Sequence, residues 1–232
     1  MGEIIQSGEV AWRAGIQHEL QFWDEYIRTQ GGKWSEEYKR RMDPDAPLQP
    51  RPAALLPPER NAKILDVGAG PLTYLGKIHD GKKIDLMAVD PLALEYDKII
   101  EKYKISPPVR TLEAAAEDLT KKFESNSFDL VFARNCIDHS YSPEHAVLQM
   151  IEIVAKGCYV LMEHRQNEAE HEQYLGLHQW NFSMMPNGDF IIGSKTEKVN
   201  MSEKYKDTAT MKCEVVSVAP GNDWMVTRIF KK

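Results

Sequence analysis

The chain has 232 residues, of which 42% are hydrophobic and 28% are charged, a composition typical of a globular protein with a substantial core. Its formal net charge of −6 creates no basic field, which argues against nucleic acid as a partner. The three cysteines lie far apart in neither a metal-binding nor a disulfide pattern, and no apolar run is long enough to span a membrane. We therefore expect a cytoplasmic protein that binds no membrane, and a homodimer is compatible with the sequence.

Residues 1–61 are predicted to form an N-terminal helical extension that ends in a proline-rich connector. Large apolar side chains recur at the spacing of one helix face, and a glycine pair at 31–32 ends this helix before a second one over 34–42. The recurring side chains are Trp12, Ile16, Leu20, Trp23 and Ile27. The extension either packs against the rest of the protein or closes an acceptor pocket as a lid.

Prolines are concentrated in the connector and predict an extended segment without helix. They are Pro44, Pro47, Pro50, Pro52, Pro57 and Pro58.

From Ala62 onward, short apolar strands alternate with helices, which predicts a parallel sheet covered on both faces. A C-terminal antiparallel hairpin is predicted from two further apolar runs around a Pro-Gly-Asn turn at 220–222. Strands are predicted at 63–67, 84–89, 109–112, 128–133, 158–163, 212–219 and 223–231, and helices at 71–79, 92–103, 114–123, 143–155 and 168–177.

The most informative motif is the run Asp66-Val67-Gly68-Ala69-Gly70, which ends the first predicted strand. Its two glycines allow positive φ angles and a close approach of the backbone to a ligand. Pro71 is suited to the first position of a helix. The next strand ends at Asp90, whose carboxylate is placed to accept hydrogen bonds from a ribose. Together these features predict a cofactor that contains a nucleoside.

Two kinds of cofactor compete for this motif. A dinucleotide fingerprint requires a third glycine where this chain has Thr73, and the carboxylate of Asp66 would repel a pyrophosphate. A cationic ligand would instead be attracted. The Asp-x-Gly-x-Gly pattern followed by Asp90 resembles motif I of the class I S-adenosylmethionine-dependent methyltransferases, whose cofactor carries a sulfonium and an ammonium. A nicotinamide dehydrogenase is therefore disfavoured.

The resemblance implies an α/β fold with a doubly wound, mostly parallel, seven-stranded, Rossmann-like sheet over residues 62–232, finished by the C-terminal hairpin. It also implies that the glycine motif holds the methionine part of S-adenosylmethionine, that Asp90 binds the ribose, and that Leu92 packs on the adenine. An Ala-Glu-Asp-Leu segment at 116–119 resembles the one that recognises the adenine edge. The implied cofactor-binding residues are Asp66, Gly68, Gly70, Asp90, Leu92, Ala116, Glu117 and Asn135.

The segment 128–139 resembles motif IV of the same family, a strand that leads into the reaction site. It lacks the Pro-Pro and Pro-Cys motifs of DNA methyltransferases, which again argues against a nucleic-acid substrate. A hydroxyl acceptor must lose its proton, and histidine is well suited to accept it at neutral pH. His139 and His164 each follow a predicted strand, so we predict His139 as the catalytic base and His164 as the second candidate.

The predicted function is methyl transfer from S-adenosylmethionine to a hydroxyl of a small molecule, most simply a sugar-containing compound or a secondary metabolite. N-methylation of a small amine and a catalytically inactive, cofactor-binding partner protein are the alternatives. Asp138, His139, Glu163 and His164 offer a divalent metal site, but the sequence favours a site without metal.

Overall fold

The computed structural model describes residues 2–57, 61–219 and 222–232, with side chains described from residue 15 onward except at 218, 219 and 222. Pro58, Pro220 and Gly221, on which parts of the connector and hairpin predictions fall, lie outside the described residues. In the described part of the chain, no helix combines the length and the apolar character needed to cross a bilayer.

The elements follow one another largely in the predicted order. The helices are α1 (Gly2–Arg28), α2 (Ser35–Met42), α3 (Pro50–Ala53), α4 (Ala93–Tyr103), α5 (Pro143–Ile153), α6 (Glu168–His171) and α7 (Met201–Lys204), and short 3-10 segments span Gly32–Trp34, Ala116–Lys121 and Ile137–His139. The strands are β1 (Lys63–Val67), β2 (Ile78–His79), β3 (Lys82–Lys83), β4 (Asp85–Asp90), β5 (Thr111–Glu113), β6 (Phe128–Arg134), β7 (Val154–Arg165), β8 (Asn181–Met184), β9 (Phe190–Gly193), β10 (Lys198–Asn200), β11 (Ala209–Ala219) and β12 (Asn222–Lys231).

The central sheet has seven strands in the order β5-β4-β1-β6-β7-β12-β11. The first five are parallel to one another, while β12 pairs antiparallel with both β7 and β11. This topology confirms the predicted doubly wound, mostly parallel sheet with a C-terminal antiparallel hairpin. Because the strand order reverses between β1 and β6, the carboxyl ends of these strands border the crevice in which such sheets bind ligands.

Alternating side chains of the sheet build a core on each face. In β1, Leu65 and Val67 belong to one core, and Ile64 belongs to the other. A third cluster, which we call the aromatic cluster, is separate from both and joins α1 and α2 to α4. Its buried members are Trp23, Tyr26, Ile27, Tyr38, Leu72, Leu92, Tyr96 and Ile99.

The helix predicted over 71–79 is absent, and that prediction is wrong. After Gly70 the chain makes irregular turns and then the short β2–β3 hairpin. The side-chain amide of Gln49 donates to the carbonyl of Tyr74 and accepts from the backbone N–H of Gly76. The backbone N–H of Lys77 donates to the carbonyl of Ala46. The connector thus pairs backbone groups that a helix would have paired internally.

Four smaller expectations also need correction. The connector contains one helical turn, α3, because Pro50 occupies its first position, where a missing N–H costs nothing. The helix predicted over 114–123 is a 3-10 segment, and the one predicted from residue 168 ends at His171. Strand β7 is longer than predicted and includes His164.

We predict that Gly76→Ala destabilises the fold, because a Cβ at this position would lie 2.0 Å from the carbonyl oxygen of Pro47. Forcing an extra carbon into a packed site costs about 1–3 kcal/mol in the free energy of unfolding, which denaturant titration measures. The control is Gly81→Ala, where a Cβ meets no atom within 4 Å and only the φ of +72° is unfavourable. If Gly76→Ala lowers the free energy of unfolding by less than Gly81→Ala does, the connector does not hold this turn.

Candidate functional site

The glycine turn, residues 68–70, leaves β1 at the carboxyl edge of the sheet. Gly68 and Gly70 have φ angles of +66° and +62°, so both occupy the region that favours glycine. A Cβ on Gly68 would lie 2.5 Å from the Sγ of Cys136, and one on Gly70 would lie 2.3 Å from the ring of Trp23. The turn is therefore in contact with the loop after β6 and with α1.

Asp90, the last residue of β4, holds this turn in place. Its Oδ2 accepts a hydrogen bond from the N–H of Gly70 at 3.0 Å, and its Oδ1 accepts one from the N–H of Leu92 at 2.9 Å. Burial raises the pKa of Asp90 to about 7, because these two hydrogen bonds offset only part of the desolvation cost. The carboxylate would therefore be stabilised by a ligand that donates hydrogen bonds or carries positive charge.

Asp66 is buried near the end of β1. Its Oδ2 accepts a hydrogen bond from the hydroxyl of Thr73 at 2.5 Å. Burial raises the pKa of Asp66 to about 6, although the hydrogen bond from Thr73 and the charge of Arg41 lower it in part. The carboxylate thus holds the irregular turn after Gly70, and its contact with a cofactor stays a prediction.

The other predicted cofactor residues follow neighbouring strands of the sheet. Leu92 comes after β4 and is buried in the aromatic cluster, and Ala116 and Glu117 come after β5. The Oε1 of Glu117 accepts a hydrogen bond from the N–H of Ser142 at 3.1 Å, and burial raises the pKa of Glu117 to about 7. Asn135 comes after β6 with a φ of +48°. All four therefore lie at the carboxyl edge of the sheet.

Helix α1 covers the glycine turn. The ring of Trp23 lies against Gly70, and near the other end of the described part of the helix Gly15 lies against Leu177. A Cβ on Gly15 would be 2.5 Å from the side chain of Leu177. The helix therefore contacts both the glycine turn and the loop over 172–180.

Three side chains, which we call the histidine–aspartate cluster, meet beside the glycine turn. They are Asp138 and His139 from the 3-10 segment after β6, and His178 from the loop after α6. The Nε2 of His139 lies 3.1 Å from the Nδ1 of His178, and both nitrogens lie 3.4 Å from the Oδ2 of Asp138. Cys136, which touches Gly68, connects the cluster to the turn.

The charges within the cluster support one another. Burial opposes ionisation of Asp138, but the charge of His139 and the hydrogen bond with His178 lower the pKa of Asp138 to about 2. Burial also opposes a charge on His178, yet its hydrogen bond with Asp138 raises the pKa of His178 above its usual value. The aspartate is therefore an anion that attracts positive charge to this point.

His164 has a different environment from the one predicted. It lies within β7 and not after it, and it is buried. Its Nε2 accepts a hydrogen bond from the N–H of Ile137 at 3.2 Å. Burial lowers the pKa of His164 to about 4, so its ring is neutral at pH 7. In this position it supports the segment that carries Asp138, and a catalytic role for it stays a prediction.

Sequence reasoning did not connect His178 with Asp138 and His139. The polar and aromatic run over 177–182 was the available signal, but no local spacing rule joins it to the loop after β6. Glu163, the other residue considered for a metal, forms an ion pair with Arg51 at 2.5 Å. The cover that Trp23 provides over the glycine turn was likewise not specified by the helix pattern.

Comparison with known proteins identifies the domain. Residues 65–162 match the sequence model of a family described as methyltransferase domain. The tRNA U34 carboxymethyltransferase of Ectopseudomonas mendocina (strain ymp) is 26% identical over 171 residues, which cover 72% of this chain and 47% of that protein. The chain thus spans about half the length of the curated relative it matches.

Solved structures share the fold at low sequence identity. An S-adenosylmethionine-dependent methyltransferase of Thermotoga maritima, described as a possible histamine N-methyltransferase, has a TM-score of 0.55 at 18% identity over 96% of this chain and 100% of that chain. The phosphoethanolamine N-methyltransferase 2 of Haemonchus contortus, solved with phosphomonomethylethanolamine and S-adenosylhomocysteine, has a TM-score of 0.52 at 15% identity over 89% of this chain and 59% of that chain.

The family model that residues 65–162 match and the similar solved structures are those of class I S-adenosylmethionine-dependent methyltransferases, in agreement with the family resemblance seen in the sequence. The cofactor of this family is S-adenosylmethionine, and the residues present fit it. Gly68 and Gly70 let the backbone approach a ligand, and the buried carboxylate of Asp90 favours hydroxyl donors and positive charge. Because residues 71–77 are not helical, the turn lacks the helix N-terminus on which a dinucleotide pyrophosphate binds.

We expect the affinity for S-adenosylmethionine to rise across about pH 5.5 to 7.5. In the free protein Asp66 and Asp90 have pKa values of about 6 and about 7, whereas a cationic ligand favours the ionised carboxylates. Binding therefore releases protons, and the dissociation constant falls as the pH increases through these pKa values. Calorimetry in two buffers of different ionisation enthalpy measures both the affinity and the proton release.

Asp90→Asn provides the control for this measurement, because an amide at this position has no proton to release. The variant should bind more weakly by about 1–3 kcal/mol, the cost of a lost charged hydrogen bond, and should lose part of the pH dependence. An affinity in the original chain that falls with increasing pH would contradict the assignment of these carboxylates to the cofactor site.

Proposed function

We propose that the protein transfers a methyl group from S-adenosylmethionine to a hydroxyl of a small molecule, such as a sugar-containing compound or a secondary metabolite. The observation that carries this proposal is the contact between Gly68 and Cys136. It joins the cofactor turn to the segment that bears Asp138 and His139, so a methyl donor on the turn and a proton-accepting cluster lie next to each other.

The chain has two tasks in such a reaction. When bound, the cofactor supplies a methyl group on a sulfonium, which becomes a neutral thioether as the acceptor oxygen takes the methyl carbon. Much of the acceleration comes from holding the acceptor in line with that carbon. The remaining task is to remove the acceptor proton, and the histidine–aspartate cluster offers two imidazoles oriented by a buried carboxylate.

The exposure of the cluster agrees with this role. The side chain of Asp138 is 2% exposed, whereas those of His139 and His178 are 17% and 27% exposed. The aspartate therefore lies at the buried inner side of the cluster, and the imidazoles are the groups within reach of an acceptor.

The identity of the acceptor distinguishes this proposal from two others. The name of the curated relative makes tRNA the second candidate, and the T. maritima structure suggests a small amine. The net charge of −6 supplies no general attraction for phosphates. Near the ends of β6 and β7, Arg51 is paired with Glu163 and Arg165 with Glu168, so these cations are already engaged. We therefore favour a small neutral acceptor.

Transfer of a radioactive methyl group from S-adenosylmethionine tests the acceptor class directly. Three sets of acceptors are compared: small hydroxyl compounds, small amines and unmodified tRNA. We expect label in the hydroxyl set. Label in tRNA or in the amines would replace the proposed acceptor, and cofactor binding without label in any set would indicate a catalytically inactive binding protein.

We predict that His139→Ala lowers the turnover number by about 10²–10⁴-fold, the usual contribution of a positioned proton acceptor. The affinity for S-adenosylmethionine should change by no more than about twofold, because the variant leaves the glycine turn and Asp90 untouched. His171→Ala, which changes an exposed histidine on α6, is the matched control and should retain full turnover. Equal turnover in the His139→Ala and His171→Ala variants would show that the cluster has no role in the reaction.

We further propose that α1 acts as a lid over the cofactor. The Nε1 of Trp23 donates to the carboxylate of Glu19 at 2.7 Å, and the Trp23 ring fills the space over Gly70. A ligand on the glycine turn therefore requires this ring to move. The aromatic cluster that holds α1 is separate from both cores of the sheet, so the helix can shift without opening either core.

The lid predicts a specific effect of Trp23→Ala. The cofactor should dissociate faster. The free energy of unfolding should fall by less than the about 3–5 kcal/mol typical of truncating a core tryptophan. Stopped-flow displacement measures the first quantity and denaturant titration the second. Gln21→Ala, at an exposed position of α1, should change neither. A loss of stability typical of a core tryptophan, with unchanged cofactor dissociation, would show that α1 is part of the core.

A further inference from the structure

Three atoms of ligand type converge in the histidine–aspartate cluster. The Nε2 of His139, the Nδ1 of His178 and the Oδ2 of Asp138 form a triangle with edges of 3.1, 3.4 and 3.4 Å. Hydrogen bonds satisfy this arrangement poorly, because the single N–H of each ring nitrogen can be directed at only one of its two neighbours. Two imidazoles and one carboxylate are a ligand set that first-row transition metals use.

The edges of this triangle match those of a metal coordination shell. With bonds of about 2.1 Å, neighbouring ligand atoms lie about 3.4 Å apart around a tetrahedral ion and about 3.0 Å apart around an octahedral one. The observed separations of 3.1 to 3.4 Å fall within this range. A single point can therefore lie about 2.1 Å from all three atoms without any change in the backbone.

Asp138 provides an independent observation. The residue is 1% exposed, and its Oδ1 is a buried oxygen that has no hydrogen-bond partner within the described part of the chain. The Nε2 of His164 lies 4.0 Å from this oxygen but accepts from the N–H of Ile137, so it has no proton to donate. A buried, incompletely paired carboxylate is costly, and a cation in contact with it would offset that cost.

The segments that carry the three side chains are themselves held in place. The 3-10 segment after β6 is supported by the hydrogen bond from Ile137 to His164. In the loop after α6, the side-chain amide of Gln179 donates to the carbonyls of Tyr174 and Gly176 at 2.8 and 3.0 Å. Both segments that carry the cluster are therefore held by hydrogen bonds of the protein itself, without a ligand.

We propose that Asp138, His139 and His178 bind one divalent first-row transition-metal ion, such as Zn²⁺, beside the cofactor turn. Imidazole nitrogen favours such an ion over Mg²⁺, which prefers oxygen ligands. The partial exposure of both histidines leaves the outer side of the ion open, as in sites that keep one coordination position free. The inference rests on the proposed function in assigning that open side to the acceptor oxygen, and with the ion bound, the ion would replace the free imidazoles as the group that makes the acceptor hydroxyl more acidic.

The ion is sought by direct binding to the full chain. Protein stripped with a chelator is titrated with Co²⁺, whose visible absorption reports its ligands, and then with Zn²⁺ or Mg²⁺ as competitor. We expect one Co²⁺ per chain, displacement by Zn²⁺ and none by Mg²⁺. His178→Ala should lower the affinity for Co²⁺ by more than the about 10–100-fold that even outer partners of a metal site contribute.

Two further variants keep the result interpretable. His178→Gln retains a polar side chain that can donate a hydrogen bond to Asp138, so the variant should stay folded without metal, which circular dichroism checks. It should also bind Co²⁺ more weakly. His171→Ala is the matched control and should bind Co²⁺ as the original chain does. A stripped original chain that takes up neither Co²⁺ nor Zn²⁺, or a His178→Ala chain with unchanged affinity, would overturn the proposal.

The measurement separates the metal site from methyl transfer, because the Co²⁺ spectrum requires neither cofactor nor acceptor. Co²⁺ binding in a chain that methylates no acceptor would support the metal site and contradict the proposed function. Methyl transfer at full rate by stripped protein that binds no Co²⁺ would support the proposed function and contradict the proposed metal site.

Discussion

The buried carboxylate of Asp90 is the constraint on which the site depends. Its two oxygens accept hydrogen bonds from Gly70 and Leu92, so the end of β4 holds the glycine turn after β1 and the start of α4 together. The hydroxyl of Thr111 in β5 donates to the carbonyl of Gly70 at 2.7 Å. Elements from three adjacent strands thus meet at the same glycine, and the register of the parallel sheet sets the position of the cofactor turn.

The glycine turn also positions the reaction side. Gly68 leaves no room for a side chain against Cys136, and the Sγ of Cys136 donates to the carbonyl of Val67 at 3.1 Å. The loop after β6 is therefore tied to the end of β1. The two buried aspartates that flank this junction have opposite environments: burial raises the pKa of Asp90, whereas neighbouring histidines lower the pKa of Asp138. Asp138 thus has histidine partners that favour its ionised form, whereas burial dominates at Asp90.

The N-terminal segments complete the junction through contacts distant in sequence. The guanidinium of Arg41 donates to the carbonyl of Leu72, and the ammonium of Lys77 donates to the carbonyls of Arg40 and Arg41. These contacts attach α2 to the turn after Gly70, while Trp23 of α1 covers the turn itself. The extension therefore contacts the cofactor site in two places. The contact through α2 is fixed, and the contact through α1 is the one proposed to move.

The sequence by itself determined the parts of this protein that depend on neighbours a few residues away. Strands β1, β4 and β6, the start of α5 at Pro143 and the glycine turn with its two aspartates follow from hydrophobic alternation and turn chemistry, which act locally. Tertiary structure alone decided that the backbone after Gly70 pairs with Gln49 and its neighbours and forms no helix. It likewise brought His178 to Asp138 and His139. Such contacts join chain segments that no local period relates, and their energies appear only once the sheet has brought those segments together.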